Sequence, residues 1–129
     1  MTNILLVGIG GFIGSVARYK LSGWLLHLTV HEKFPYSTFA VNVVGCLIAG
    51  VLAGLAERFE LFGPSARLLL LTGFLGGFTT FSAFGLQTMS LLRRGELWVA
   101  ALYVVASVLL GLVAVWIGLN GVYLLPHED

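Results

Sequence analysis

The chain has 129 residues, 58% of them hydrophobic and only 10% charged, with a formal net charge of +1. A soluble domain carries about a quarter charged residues, so this composition points to a membrane protein. Near neutrality without a basic run excludes a nucleic-acid partner, which requires a phosphate-neutralising patch, and the single cysteine, Cys46, excludes an intrachain disulfide and a CxxC metal or redox site.

In chain order, "MTNILLVGIGGFIG" comes first. It lacks the positively charged start of a secretory signal and stays apolar past residue 20, so it reads as a retained first span over 3–26. Further spans are predicted over 37–57, 66–92 and 97–123, each near the length of about 20 apolar residues that crosses a bilayer core. The connections are "LTVHEKFPYS" with Pro35, "ERFELFGPS" with Pro64 and "RRGE" with Gly95, all rich in turn formers and charge. Loops this short leave no extramembrane domain. The expectation is an all-α membrane protein, residues 1–129 forming one domain of four transmembrane helices.

The 17 glycines need a physical reason, because glycine weakens a soluble helix. In lipid, small residues let helix backbones approach and pack. Gly10 and Gly14, Gly50 and Gly54, and Gly73 and Gly77 fit the GxxxG spacing, and Ala114 with Gly118 fits its small-xxx-small form. Four spans should not absorb all of these internally, so a homo-oligomer is expected. Orientation is set by Lys and Arg in short loops. The second loop carries Arg58 and Arg67, and the first and third together carry Lys33, Arg93 and Arg94. So little bias fits insertion either way up, for which an antiparallel dimer is the simplest assembly.

No acidic residue is predicted inside a span: Glu32, Glu57, Glu60, Glu96, Glu128 and Asp129 fall in loops or at the tail. That removes intramembrane carboxylate relays and paired carboxylates for acid-base catalysis, and no enzyme signature is present. His27 and His31 have metal-pair spacing but no third ligand in view, and read as interfacial. Arg18, within the first span, is a functional candidate by its cost in lipid or a snorkelling side chain, and both readings stay open. Asn42, near the start of the second span, either glues helices or faces a polar path. Tyr103 and Ser107 put two hydroxyls on one stripe of the fourth span, and Thr38 adds another in the second. Cys46 reads as a small packed residue. Sparse polar groups without fixed charge suit a small ion.

The third span contains "GFLGGFTTFSAF", residues 73–84. Gly76-Gly77 followed by Thr79-Thr80 is poor helix at mid-membrane depth, where irregular backbone is tolerated only if buried or lining a cavity. A break there frees carbonyl oxygens, which are ligands for a hard cation. Phe78, Phe81 and Phe84 recur at i, i+3, i+6 and are predicted to share a face. The electropositive edge of a phenyl ring can stabilise a dehydrated anion without gripping it tightly.

"TGFLGGFTTFSAF", with "VN" in the second span and "ASVLLGL" in the fourth, resembles the Fluc/CrcB family of bacterial fluoride channels over essentially the whole chain. The resemblance implies a dual-topology antiparallel homodimer in the bacterial inner membrane, exporting fluoride passively from the cytoplasm. It implies a structural Na⁺ at the dimer centre held by the backbone carbonyls of Gly76 and Thr79. It assigns Asn42, Phe81, Phe84, Tyr103, Ser107 and Thr38 to the anion pathway, with Arg18 at its entrance. Two positions depart: relatives often carry Glu where this chain has Gln87, and Ser where it has Gly111. The rival readings are a small multidrug-type exporter, which needs an acidic residue in the first span, and a non-transporting membrane subunit. From the charge balance, paired reporters fused to the carboxyl terminus, one active on each side of the membrane, should both give signal; a single active reporter would exclude dual topology.

Overall fold

The computed structural model describes residues 1–126, so Glu128 and Asp129 lie outside the described residues. Among the described residues four helices are long and apolar enough to cross a membrane: Thr2–Leu28, Tyr36–Phe59, Pro64–Arg93 and Leu97–Tyr123. They are the four spans referred to below. The first three overrun their predicted limits by one or two residues at each end, and Glu57 sits in the last turn of a helix and not in a loop. The boundaries follow local chemistry. Pro35 precedes the second helix, and Pro64 occupies the first turn of the third, where its missing N–H costs nothing. Glu60 closes the second helix in the left-handed region at φ 52°, and Gly95 turns the chain before the fourth at φ 77°.

The third span is two arms and an interruption. Pro64–Arg67 is α-helical, Leu68–Leu75 is wound as a π-helix and Gly76–Phe78 returns to α geometry. Thr79 and Thr80 are then extended, at φ −89°, ψ 155° and φ −146°, ψ 115°. The second arm, Phe81–Arg93, starts with the Thr80 hydroxyl accepting from the Ala83 N–H at 3.2 Å. The interruption thus falls on the threonines, while Gly76 and Gly77, expected to start it, are helical. Those glycines serve approach instead, since a Cβ on Gly77 would stand 2.9 Å from the Ser15 Oγ and nearer still to the Gly11 carbonyl. Threonine, branched at Cβ, suits the extended backbone better than glycine does.

Two extended residues also reset the helical phase. Phe78, buried and stacked on Phe74 at 5.7 Å, no longer shares a face with Phe81, which is 84% exposed. The predicted stripe of three rings therefore reduces to Phe81 and Phe84, with centroids 5.8 Å apart.

Two glycine-lined seams hold the helices. In one, Gly10 and Gly14 of the first span meet the backbone of Leu69, Gly73 and Phe74 in the π-helical arm. In the other, the second and fourth spans run parallel and in constant register: Cys46 faces Gly111, Gly50 faces Val115, and Arg58 reaches Tyr123, the last with a 65-residue offset that the others repeat. A Cβ on Gly50 would collide with the Val115 carbonyl, and one on Gly118 with the Leu47 carbonyl. Gly10, Gly14, Gly50, Gly54, Gly73, Gly77 and Gly118 all meet neighbours of their own chain, with Ala114 buried as well. The surplus of small-residue motifs expected to require an oligomer is thus consumed internally. At the seam's end the Arg58 guanidinium donates to the Tyr123 and Leu125 carbonyls and lies against the Tyr123 ring, closing the carboxyl end of the last helix. Overpacking such a contact costs about 1–3 kcal/mol. Gly50→Ala should lower the thermal unfolding midpoint in detergent, whereas Gly121→Ala, with open space at its Cβ position, should not; equal effects would remove the seam argument.

Candidate functional site

Asn42 builds the site. Its side chain approaches the interruption of the third span edge on: the amide nitrogen donates to the Thr80 carbonyl at 2.9 Å, and the Thr80 N–H donates to the amide oxygen at 2.8 Å. The side-chain amide thus pairs with the exposed peptide group as a neighbouring strand would, satisfying a donor and an acceptor that no helix supplies. In an unbroken helix the Thr80 N–H would bond the Gly76 carbonyl. Diverted to Asn42, it leaves that oxygen free for another partner. Thr79 keeps its own N–H bonded to Leu75, and its hydroxyl bonds the same carbonyl at 2.9 Å. Of the two readings left open on sequence, Asn42 as helix glue is met directly. It also has one amide hydrogen to spare, and the residue lines a groove.

That groove, of about 510 Å³, runs between the second and fourth spans and the interruption, lined by Asn42, Cys46, Gly76, Thr79, Phe81, Phe84 and Ser107 among others, and no charged residue borders it. The Ser107 oxygen is buried with no hydrogen-bond partner. A second cleft of about 330 Å³ lies on the other side of Thr80, lined by Arg18, Thr38 and Gln87. The Arg18 Nε is buried and unpartnered there, so this side chain has neither paired its Nε nor carried it out to water. Gln87 also lines a third cleft, of about 200 Å³, that opens beside Lys33 and Arg94, with Lys33 paired to Glu96 at 2.9 Å.

Tyr103 stands between the clefts and is fully buried. Its hydroxyl lies beside Thr38 and donates to the Gln87 amide oxygen at 2.8 Å, while its ring packs on Phe84 at 5.0 Å and Phe34 at 5.4 Å. With Leu91 and Ala100 it forms the core of this end of the molecule. The structure therefore gathers Asn42, Phe81, Phe84 and Ser107 in one groove with Gly76 and Thr79, sets Arg18 and Thr38 in the adjoining cleft, and uses Tyr103 as the packed partition. On sequence Thr80 was named only as part of the break and Gln87 only as a departure from relatives, and neither was placed in the site, although Gln87 lies three residues beyond Phe84 on the same helix face. Cys46, read as a packed residue, is half-buried on the groove wall one turn from Asn42.

Four spans, an interrupted third helix and an uncharged groove that carries amide, hydroxyl and ring groups on a largely apolar wall define a small multi-pass membrane protein. Residues 5–119 match the family described as CrcB-like protein, Camphor Resistance (CrcB), and the chain belongs to that family. A relative from Methylobacillus flagellatus, named fluoride-specific ion channel FluC, is 52% identical over 118 residues, covering 92% of each chain. Relatives bearing the same name from Rhizobium etli, 52% identical over 119 residues, and Chlorobium chlorochromatii, 45% identical over 117, cover 92% and 91% of this chain and 94% and 89% of their own. Those names describe a channel and not an enzyme. Each buried group left unpaired costs about 1–3 kcal/mol. Asn42→Ala should therefore destabilise the protein and speed hydrogen exchange at the Thr80 amide; unchanged protection at Thr80 would mean that the amide does not hold the interruption.

Proposed function

We propose that the chain is a fluoride-selective ion channel that lets fluoride leave the cytoplasm passively across the bacterial inner membrane. The observation that carries this reading is the near full-length match, at about half identity, to relatives named as fluoride-specific channels. The groove supports it physically. A small, strongly hydrated anion must exchange water for donors that do not hold it, and the spare Asn42 amide hydrogen, the unpartnered Ser107 hydroxyl and the edges of Phe81 and Phe84 are donors of that kind. Arg18 in the adjoining cleft adds a positive charge at the route's entrance, Thr38 adds a hydroxyl to that cleft, and Tyr103 acts on the route through its hydroxyl's bond to Gln87.

The working unit is an antiparallel, dual-topology homodimer. Irregular backbone within a bilayer must be buried in protein, yet Gly76 and Phe81, on either side of the interruption, are both exposed in the single chain. A second copy laid across the break covers them. It also brings a second pair of carbonyls from Gly76 and Thr79, and the Gly76 oxygen released by the Asn42–Thr80 pairing fits a hard cation that takes only oxygen ligands. A sodium ion at that point would tie the two interruptions together.

Purified protein in liposomes should pass fluoride and not chloride, without a proton gradient, as read by an ion-selective electrode. Equal chloride flux, or dependence on a proton gradient, would sink the channel reading. Phe81→Ile should lower fluoride flux about tenfold, the factor corresponding to about 1.4 kcal/mol, at unchanged yield of folded protein. Flux at the wild-type rate would remove the ring-edge role.

A further inference from the structure

The far end of the third span carries two cations that the rest of the chain leaves uncompensated. Among the described residues the ion pair at this end is Lys33 with Glu96 at 2.9 Å, so that carboxylate is already taken. Glu32 borders a neighbouring cleft with Arg94 but is not paired with it. The Arg93 side chain makes no hydrogen bond or ion pair among the described residues. Arg94 makes one long side-chain bond, from its Nε to the Ser90 carbonyl at 3.4 Å, which leaves both terminal nitrogens of its guanidinium free.

These two arginines stand at the head of a cleft of about 330 Å³ whose other walls are Leu86, Met89 and Ser90. Leu86, Met89, Ser90 and Arg93 follow the i, i+3, i+4, i+7 spacing of one face of the arm Phe81–Arg93. At 1.5 Å of rise per residue the face runs for about 10 Å along the helix. It is graded along that length, from exposed apolar side chains through a hydroxyl to two guanidinium groups. Trp98 marks the depth. It lies in the first turn of the fourth span, four residues beyond Arg94, and is exposed, and an indole at a span end settles at the headgroup level. The guanidinium groups therefore stand where lipid phosphates are, and Met89 and Leu86 stand below them among acyl chains. A free anion would use the cations alone. The grading matches a ligand with a charged end, a polar middle and an apolar tail.

We propose that this cleft binds an anionic phospholipid, with its phosphate on Arg93 and Arg94, its ester region beside the Ser90 hydroxyl and one acyl chain along Met89 and Leu86. Guanidinium groups suit the phosphate because each can present two parallel N–H donors to its oxygens. A zwitterionic lipid brings its own ammonium to the same place and gains less. The site is complete within one chain and does not depend on the channel reading.

The experiment is native mass spectrometry of the full chain in an uncharged detergent, titrated with phosphatidylglycerol and with phosphatidylcholine of the same acyl chains. A basic side chain at an anionic lipid surface contributes roughly fivefold in affinity, so wild type should favour phosphatidylglycerol about 25-fold. Arg93→Gln and Arg94→Gln should each reduce that preference about fivefold, and the double variant should abolish it. Lys20→Gln combined with Arg67→Gln removes the same charge elsewhere and should leave the preference intact. An excess of sn-glycerol 3-phosphate, which has the charge but no chains, should not displace the lipid. Equal affinity of wild type for the two lipids would overturn the proposal, and needs no variant to fold. So would a preference that survives in the double variant, one lost equally in the Lys20 and Arg67 variant, or displacement by glycerol phosphate, which would make the cleft a free-anion site. No fluoride is measured, so none of these outcomes bears on the channel reading.

Discussion

The architecture turns on the two hydrogen bonds between the Asn42 side chain and the Thr80 peptide group. An interruption inside a membrane helix leaves backbone donors and acceptors that lipid cannot satisfy, each as costly as a lost buried hydrogen bond. One side-chain amide supplies both an acceptor and a donor in the spacing of a peptide, so it replaces the missing ladder with the least polar material. It also ties the second span to the hinge of the third, which fixes the mouth of the groove. The same pairing releases the Gly76 carbonyl, so the interruption is satisfied on one side and open to a partner on the other.

The parallel seam between the second and fourth spans grades from open to closed along its length. Where it carries Asn42, Cys46 and Ser107, side chains hold the helices apart enough for a groove. Where it carries Gly50, Gly54 and Gly118, backbone meets backbone and no space remains. Arg58 then closes the end by capping the carbonyls at Tyr123 and Leu125. One register therefore does two jobs: the glycine half holds the helices rigidly so that the polar half can stay open without collapsing. The first span does the same for the third through Gly10 and Gly14 against the π-helical arm, whose wider winding brings Gly73 up to Gly10.

Four spans, their short loops and the polar groups Asn42, Thr79 and Ser107 that line the groove were legible in the sequence, because apolar length and isolated polar groups in lipid are strong signals. The fine structure of the third span was not. Nothing local separates a glycine pair that breaks a helix from one that lets a neighbour close in, and Gly76-Gly77 prove helical because the first span lies against Gly77. The phase shift at Thr79 and Thr80 was invisible for the same reason, so Phe78 was assigned to a face it does not share. Glycine spacing showed that tight contacts exist but not between which helices, and because each motif glycine finds an internal partner their surplus is no argument for an oligomer either way. Gln87 departs from the Glu often found in relatives, and its neutral oxygen accepts the Tyr103 hydroxyl, so the position here supplies an acceptor without a charge.

The distribution of charge completes the physical picture. Lys33, Glu96, Arg93 and Arg94 cluster where the third and fourth spans meet water, and Arg18 lines the cleft beside Thr80. A full charge within the groove would hold an anion at a low-dielectric site by far more than thermal energy and stop its movement. Amide, hydroxyl and ring-edge donors each give back only part of the lost hydration. On the proposed reading the anion is then drawn toward Arg18 by its field and passed along groups too weak to trap it. The cost of that arrangement is modest specificity per contact, which the groove offsets by presenting several donors in succession.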